Sequence, residues 1–271
     1  MRTYSDAMRI ALAQLTPTGD PRVNLAAILD RAREAAAGGA RMVLAPEGAI
    51  TDAFGDPESI VGNAESVDGP FVTALRQASV ELGLAIAVGT FVPAADGRVS
   101  NVLVVVDGGE LVAAYRKIHL YDAFAHRESR TVVPGDEEPP IIELDGFRIG
   151  LATCYDLRFP ELFRSLSARG VDVLALASAW ATGSGKEDHW VTLLRARAIE
   201  NTSYVVAADQ QGSGCIGRSA AFDPFGLPLL DLGYRAPALG FVEIDPTRLA
   251  EVRELLPSGS HARMQIRMTP R

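Results

Sequence analysis

Short apolar runs alternate with longer segments of helical period along this chain of 271 residues. Runs of about four to eight residues rich in Val, Ile, Leu and Ala are typical of buried strands, whereas apolar residues at every third or fourth position indicate amphipathic helices. The runs predict strands at 10–15, 42–45, 84–91, 101–106, 111–115, 141–144, 147–153, 171–177, 204–208, 218–222, 227–230 and 239–244. The helical pattern predicts helices after Asp20, over 70–82, from 160 to 170 and over 187–201.

The order of these elements is that of an α/β protein. Strand–helix–strand units with added hairpins predict sheets that are covered by helices. No linker or Pro/Ser-rich break divides the sequence, so we expect one domain over residues 1–271, with a core at about 8–245 and a C-terminal tail at about 246–271. The two halves follow a similar order of elements, which indicates a duplicated architecture.

Composition argues against several classes of protein. Lys and Arg total 26 against 34 Asp and Glu, a formal net charge of −8, whereas nucleic-acid binders neutralise phosphates with clustered basic residues. No apolar run approaches the ~20 residues of a membrane span, and the N-terminus carries charges where a signal peptide needs apolar residues. Cys154 and Cys215 are too few for a disulfide framework, so we expect free thiols and a cytoplasmic location.

Three residues with complementary chemistry follow predicted strands. Glu47 comes after the strand at 42–45, Lys117 after 111–115 and Cys154 after 147–153. Open α/β sheets place their ligand crevice beyond the carboxyl ends of the strands, so a carboxylate, an ammonium and a thiol can converge there. Glu47 can take the thiol proton, and Lys117 can favour the thiolate and stabilise an oxyanion.

Each residue alone also has a structural interpretation. A lone cysteine at a strand end is often a small buried hydrophobe, a Pro-Glu dipeptide is often a solvated strand exit, and a lysine in such a segment often lies at a sheet edge. Spacing alone does not decide between these interpretations and catalysis.

Local sequence around these residues resembles a known family. Cys154-Tyr-Asp-Leu-Arg-Phe-Pro-Glu-Leu162 closely resembles the nucleophile segment of the nitrilase superfamily, the carbon–nitrogen hydrolases, and especially of its Nit-type amidase branch. Tyr115-Arg-Lys-Ile-His-Leu-Tyr-Asp122 resembles the lysine segment, Ala45-Pro-Glu47 the glutamate segment, and Arg127-Glu-Ser129 the stretch with a second glutamate. The matches occur in the family's order over about residues 8–245.

The resemblance implies a four-layer α-β-β-α sandwich of two mixed β-sheets flanked by helices, paired into homodimers or larger homo-oligomers. It implies a cofactor-free and metal-free amidase that cleaves a small linear amide through a thioester on Cys154. Glu47 would be the base, Lys117 and the Tyr155 N–H would hold the oxyanion, and Glu128 would position Lys117. Trp180 and Ala181 would contribute to substrate binding.

The substrate and two other functions stay open at this stage. The Nit-type segments favour ω-amides of α-keto acids or deaminated-glutathione-like compounds, but nitriles and N-carbamoyl compounds are alternatives, since loop 182–187 looks longer than usual. A non-catalytic interaction protein is a second hypothesis. Gly212-Ser-Gly-Cys-Ile-Gly217 matches a dinucleotide motif, but the following residues look like a strand instead of the helix an NAD site needs.

Overall fold

The computed structural model describes residues 6–212, 214–234 and 237–269, a range that leaves Ser213 of the glycine motif outside. Its strands are β1 (Met8–Gln14), β2 (Met42–Leu44), β3 (Ala85–Pro93), β4 (Val99–Asp107), β5 (Glu110–Arg116), β6 (Val132–Val133), β7 (Ile141–Leu144), β8 (Phe147–Thr153), β9 (Val173–Ser178), β10 (Tyr204–Asp209), β11 (Gln211–Gly212), β12 (Cys215–Ile216), β13 (Ala220–Phe222), β14 (Pro228–Asp231) and β15 (Ala238–Ile244). Its helices are α1 (Pro21–Ala37), α2 (Pro57–Gly62), α3 (Pro70–Leu82), α4 (Pro160–Ala168), α5 (Lys186–Asn201), α6 (Pro246–Leu255) and α7 (Ser258–His261).

Two mixed sheets share one layout. The first has the order β15-β1-β2-β3-β4-β5, with β6 beside β4, and the second has the order β14-β13-β10-β9-β8-β7. In each sheet three parallel strands, β1-β2-β3 or β8-β9-β10, are flanked by an antiparallel strand on either side. This repeated layout agrees with the similar order of elements in the two halves.

Alternation along the strands produces four layers. Ile10 and Leu12 on β1 belong to a core between the two sheets, whereas Ala11 and Ala13 on the same strand pack beneath α1 and α3. A third core joins the outer face of the second sheet to α4 and α5. Because successive side chains of a strand point to opposite faces, both faces of each sheet are covered. The expected α-β-β-α sandwich is confirmed.

Local signals define the ends of several helices. The Asp20 carboxylate accepts a hydrogen bond from the Arg22 N–H at 2.9 Å and Pro21 is the first residue of α1, the usual N-terminal arrangement. Helix α3 ends at Gly83, whose φ of 60° is left-handed and favours glycine. None of the helices in the described ranges is both long and apolar enough to cross a membrane.

Most predicted elements occur at the expected positions, and two additional helices stand out. The six-residue helix α2 lies where no helix was predicted. Residues 246–255, placed in the C-terminal tail by the sequence, form α6, whose Leu249 and Val252 are buried. Leu249 packs into the core between the sheets, so this segment contributes to the folded structure.

Candidate active site

Strand ends from both sheets meet at a cavity of about 300 Å³, which Glu47, Lys117, Glu128 and Cys154 all line. Lys117 directly follows β5, and Cys154 directly follows β8. β5 runs parallel to β3, because both are antiparallel to β4, so its carboxyl end lies at the same edge as those of β2 and β3. The Glu47 carboxylate, the Lys117 ammonium and the Cys154 thiol therefore lie around one cavity, as the strand ends predict.

The Glu47 carboxylate is held by donors from both sheets. Its Oε1 accepts hydrogen bonds from Lys117 Nζ at 2.8 Å and from Asn101 Nδ2 at 2.7 Å. Its Oε2 accepts one from the Ala179 N–H at 2.8 Å, and Gln210 Nε2 donates to the Glu47 carbonyl oxygen at 2.8 Å. These donors fix the position of the carboxylate. Glu47 is also buried, with only 4% of its surface exposed.

Lys117 is buried between two carboxylates. Its Nζ lies 2.8 Å from Glu47 Oε1 and 2.8 Å from Glu128 Oε2. Burial lowers the pKa of Lys117, but the charges of Glu128 and Glu47 outweigh burial and hold this pKa well above its usual value. The two carboxylates therefore favour the charged form of Lys117, which offsets part of the repulsion between them.

Cys154 begins a 3₁₀ turn over Cys154–Arg158 and has a φ of 44°, a strained conformation for a residue with a Cβ. Its Sγ lies 3.7 Å from the Ala179 carbonyl oxygen. Burial, followed by the charge of Glu47, raises the pKa of the Cys154 thiol well above its usual value, although Lys117 lowers it. The expectation that Lys117 favours the thiolate gives the right direction, but burial is the larger effect and favours the neutral thiol.

Asp156 anchors the turn that carries Cys154. Its Oδ2 accepts hydrogen bonds from the Tyr115 hydroxyl at 2.7 Å and the Thr153 N–H at 2.9 Å. Its Oδ1 lies 2.8 Å from His119 Nδ1, and the His119 ring stacks on Phe159 with centroids 3.7 Å apart. The segments that carry Lys117 and Cys154 are thus fastened together behind the cavity.

Ala179 lines the cavity at the place where the sequence pointed to Trp180 and Ala181. The Trp180 N–H donates to Asp209 Oδ1 at 2.7 Å, and the Trp180 ring packs on Trp190 with centroids 5.3 Å apart. Ala181 pairs with Cys215 in an antiparallel bridge. Tyr155 is the second residue of the 3₁₀ turn, a position whose N–H has no acceptor within the turn.

Asn101 is a site residue that sequence reasoning missed. Its Nδ2 donates to Glu47 Oε1 at 2.7 Å and to Glu128 Oε1 at 3.2 Å, so one amide joins both carboxylates. It lies near the start of β4, opposite Phe91 on β3. The sequence contains one signal for it: Asn101 is a polar residue at the start of the otherwise apolar run 101–106, which is predicted as a strand.

Cationic residues line the cavity or contact its lining. Arg127 and Arg130 line it and are exposed. Lys186 Nζ donates to the hydroxyl of Tyr121, another lining residue, at 2.7 Å. Burial and the charge of Arg158 lower the pKa of Lys186. The cavity therefore presents positive charge near a buried nucleophile.

The described residues of the glycine motif include parts of two short paired strands. Gln211–Gly212 pairs antiparallel with Cys215–Ile216, and β13 follows at Ala220. No helix begins directly after the motif among the described residues, so the structure contains no helix N-terminus for a pyrophosphate at this position. Across the described ranges, His, Cys, Asp and Glu side chains form no cluster of three or more suited to a metal ion.

Comparison with known proteins identifies the family. A family model described as carbon–nitrogen hydrolase matches residues 9–254. The chain is 38% identical over 250 residues to the deaminated glutathione amidase of Escherichia coli O157:H7, covering 92% of this chain and 95% of the relative.

Solved structures give the same result. The NitFhit protein of C. elegans superposes with a TM-score of 0.90 at 29% identity, covering 99% of this chain and 68% of that one. A glutamate-to-glutamine mutant of the amidase of Nesterenkonia sp. AN1, with acrylamide added to its active-site cysteine, superposes with a TM-score of 0.79 at 31% identity, covering 92% and 98%. The resemblance seen in the sequence is confirmed: the chain belongs to the carbon–nitrogen hydrolase family and is a hydrolase of carbon–nitrogen bonds other than peptide bonds.

Proposed function

We propose that this protein is an amidase in which Cys154 is the nucleophile and Glu47 the base. The observation that carries the proposal is the buried contact of Lys117 with Glu47, 2.8 Å between Nζ and Oε1, in the cavity that Cys154 also lines. The charge of Glu47 also acts on the thiol, since it raises the Cys154 pKa. A neutral thiol beside a fixed carboxylate is poised to lose its proton as it attacks.

The first half of the reaction forms a thioester. Cys154 Sγ attacks the amide carbon while its proton passes to Glu47, and the Lys117 ammonium and the Tyr155 N–H stabilise the oxyanion. Glu47 then returns the proton to the leaving nitrogen. The carbon–nitrogen bond breaks, ammonia leaves, and the acyl group stays on sulfur.

The second half regenerates the thiol. Glu47 removes a proton from water, which attacks the thioester carbonyl, and the same oxyanion donors act again. Collapse breaks the carbon–sulfur bond and releases the carboxylic acid, and the proton from Glu47 returns to sulfur. Glu128 stays bound to Lys117 throughout and fixes the ammonium.

We infer that the substrate carries a carboxylate. Arg127 and Arg130 line the cavity, and Lys186 is hydrogen-bonded to the lining residue Tyr121. Guanidinium groups bind carboxylates through paired hydrogen bonds. A deaminated glutathione amidase among the relatives supports an ω-amide or a deaminated-glutathione-type compound as the substrate.

An ammonia-release screen over carboxylate-bearing amides, neutral amides, nitriles and N-carbamoyl compounds tests this function. Cys154→Ala should lose at least ~10³-fold in activity, since a covalent nucleophile is removed. Cys215 is also a buried free thiol but lies outside the cavity lining, so Cys215→Ala is the matched control and should stay within a few-fold of wild type. Ammonia release by Cys154→Ala within a few-fold of wild type would overturn the proposal.

Assembly into homodimers or larger homo-oligomers and a cytoplasmic location are parts of the same proposal. Phe225, Leu227 and Leu229 expose apolar side chains near the exposed Ile199 of α5, and such patches commonly mark contacts between proteins. Two free thiols suit a reducing compartment. Light scattering on the purified protein measures the assembly, and a monomeric mass would contradict it.

A further inference from the structure

Asp209 is a buried carboxyl group that the reaction above does not use. It is the last residue of β10 and has no exposed surface. Its Oδ1 accepts the hydrogen bond from the Trp180 N–H at 2.7 Å. Its Oδ2 has no hydrogen-bond partner in the described part of the chain. Such an oxygen is costly when it is charged and without partners.

Ser178 is the neighbour of Asp209 across the parallel pair β9–β10, where the two residues are in register. Its hydroxyl is buried and, within the described residues, also lacks a partner of standard geometry. Cys154 and Ser178 directly follow the parallel residue pair Thr153↔Ala177 of β8 and β9, so Ser178 is also a neighbour of the nucleophile. In agreement with both placements, its hydroxyl lowers the pKa of the Cys154 thiol and of the Asp209 carboxyl. Ser178 thus stands between the nucleophile and the buried acid.

The surroundings of Asp209 disfavour a negative charge. Burial raises the pKa of Asp209 well above its usual value and the charge of Glu47 adds to this, although the Trp180 N–H and the nearby Ser178 hydroxyl lower it. Cys215 also lies nearby, where a charge on Asp209 would raise the Cys215 pKa. Glu47 and Cys215 are both acidic, so neither supplies the cation that would stabilise a carboxylate here.

We propose that Asp209 is a neutral carboxylic acid whose Oδ2–H donates to Ser178 Oγ, so that the Ser178 hydroxyl donates to Cys154 Sγ. The proton on Asp209 Oδ2 gives this oxygen a hydrogen bond to Ser178 Oγ. Because Ser178 Oγ then accepts from Asp209, its own O–H is directed toward Cys154 Sγ. The chain Asp209–Ser178–Cys154 then supplies a second stabiliser of the thiolate, in addition to Lys117. Asp209 is a positioning residue in this arrangement, because it acts only through Ser178. The inference rests on the proposed function in taking Cys154 as the nucleophile.

Alkylation of Cys154 by iodoacetamide tests the inference without any amide turnover, so it gives an answer even if the amidase proposal fails. Below the pKa of the thiol, the rate is proportional to the thiolate fraction, and one unit of pKa changes it about tenfold. Labelling is carried out at pH 8, and the label on the Cys154 peptide is measured by mass spectrometry. Because this peptide is measured separately, labelling of Cys215 does not interfere. Ser178→Ala should slow labelling about tenfold.

Two substitutions at Asp209 separate a neutral donor from a charged acceptor. In Asp209→Asn the amide can still accept from the Trp180 N–H and donate to Ser178, so labelling should stay within about twofold of wild type. Asp209→Leu has neither function and should slow labelling about as much as Ser178→Ala. The matched control is Ser203→Ala, because Ser203 is buried just before the opposite end of β10 and should leave the rate unchanged.

Two outcomes would overturn the inference. Labelling of Ser178→Ala within twofold of wild type would show that the hydroxyl does not support the thiolate, whatever Asp209 does. A loss in Asp209→Asn as large as that in Asp209→Leu would show that a charged carboxylate is required. If Asp209→Leu fails to fold, Ser178→Ala and Asp209→Asn still decide the question.

Discussion

Gly89 on β3 leaves no room for a side chain against Glu47. A Cβ at position 89 would lie 2.7 Å from the Glu47 carbonyl carbon and closer still to its Cα. The Gly89 N–H donates to the Pro46 carbonyl oxygen at 2.9 Å, and its own carbonyl oxygen accepts from the Ala49 N–H at 2.8 Å. The strand and the loop that carries the base are therefore in direct backbone contact.

Gly89→Ala should displace the Glu47 loop and lower kcat by about 10²-fold, since a shift of about 1 Å in a catalytic group has an effect of this size. Steady-state kinetics with the best amide from the screen measures it. Gly19→Ala is the control, because a Cβ there meets open space, and it should leave kcat unchanged. Unaltered kcat in Gly89→Ala would mean that the loop adapts without moving Glu47.

Asn101→Ala should lower both activity and stability, because Glu47 and Glu128 then have only the Lys117 ammonium as a shared hydrogen-bond donor. We expect kcat to fall by about ten- to a hundredfold and the free energy of unfolding to fall by about 1–3 kcal/mol. Asn24 is a matched buried amide, which donates to the carbonyl oxygens of Thr18 and Ile50. Asn24→Ala should be destabilising to a similar extent but keep kcat. Urea unfolding measures the stability of the two variants, and steady-state kinetics measures kcat. An equal loss of kcat in Asn24→Ala and Asn101→Ala would count against the bridging role of Asn101.

Glu47→Gln should have opposite effects on alkylation and on hydrolysis. The charge of Glu47 is, after burial, the next largest cause of the raised Cys154 pKa, so its removal lowers that pKa and increases the thiolate. Iodoacetamide labelling at pH 8 should become about three- to tenfold faster, while amide hydrolysis falls at least ~10³-fold because the base is absent. Glu58→Gln, an exposed change in α2, should alter neither rate. Slower labelling in Glu47→Gln would show that Glu47 removes the thiol proton even during alkylation.

Asp209 should make the protein less stable as the pH rises. Its ordinary pKa is 3.8, and burial raises the pKa in the folded state. Between these two values the folded state binds a proton that the unfolded chain has lost, so the free energy of unfolding decreases with pH. Asp209→Asn lacks this titration.

The stability of Asp209→Asn relative to wild type should therefore rise by about 1.4 kcal/mol per pH unit above pH ~4. Urea unfolding of both proteins at several pH values measures the difference, with the exposed Asp30→Asn as the control. A difference that does not change with pH would mean that Asp209 is charged in the folded protein.

The double variant Arg127→Gln/Arg130→Gln should discriminate between substrates by charge. We expect KM for carboxylate-bearing amides to rise about tenfold, which is about 1.4 kcal/mol of binding, with little change for neutral amides. Arg33→Gln on the exposed face of α1 is the control. Equal KM changes for charged and neutral amides would mean that these arginines do not recognise a carboxylate.

The sequence identifies the residues whose position follows from strand ends. Lys117 and Cys154 directly follow apolar strands, and Glu47 follows one after two residues, so the convergence could be expected from α/β architecture. Asn101 could not be found this way, since it lies inside a strand and reaches the site only because β4 runs antiparallel to β3. The Ala179 N–H could not be found either, because a backbone donor leaves no mark in the sequence.

Tertiary contacts account for the other differences. Helix α6 looks like a tail because its apolar residues are few, yet Leu249 and Val252 find places in the core. The pKa of Cys154 depends on burial together with three neighbours from distant segments, and strand periodicity carries no information on that sum.

The last strand of the chain, β15, joins the edge of the first sheet and pairs with β1 from Met8↔Ile244 to Gln14↔Ala238. During synthesis the N-terminal half of the protein therefore leaves the ribosome with this edge uncovered, and it stays so until residues 238–244 have emerged. Exposed strand edges recruit other chains. Truncation before residue 238 should thus yield an aggregating fragment, even though every residue of the reaction centre would already have been translated.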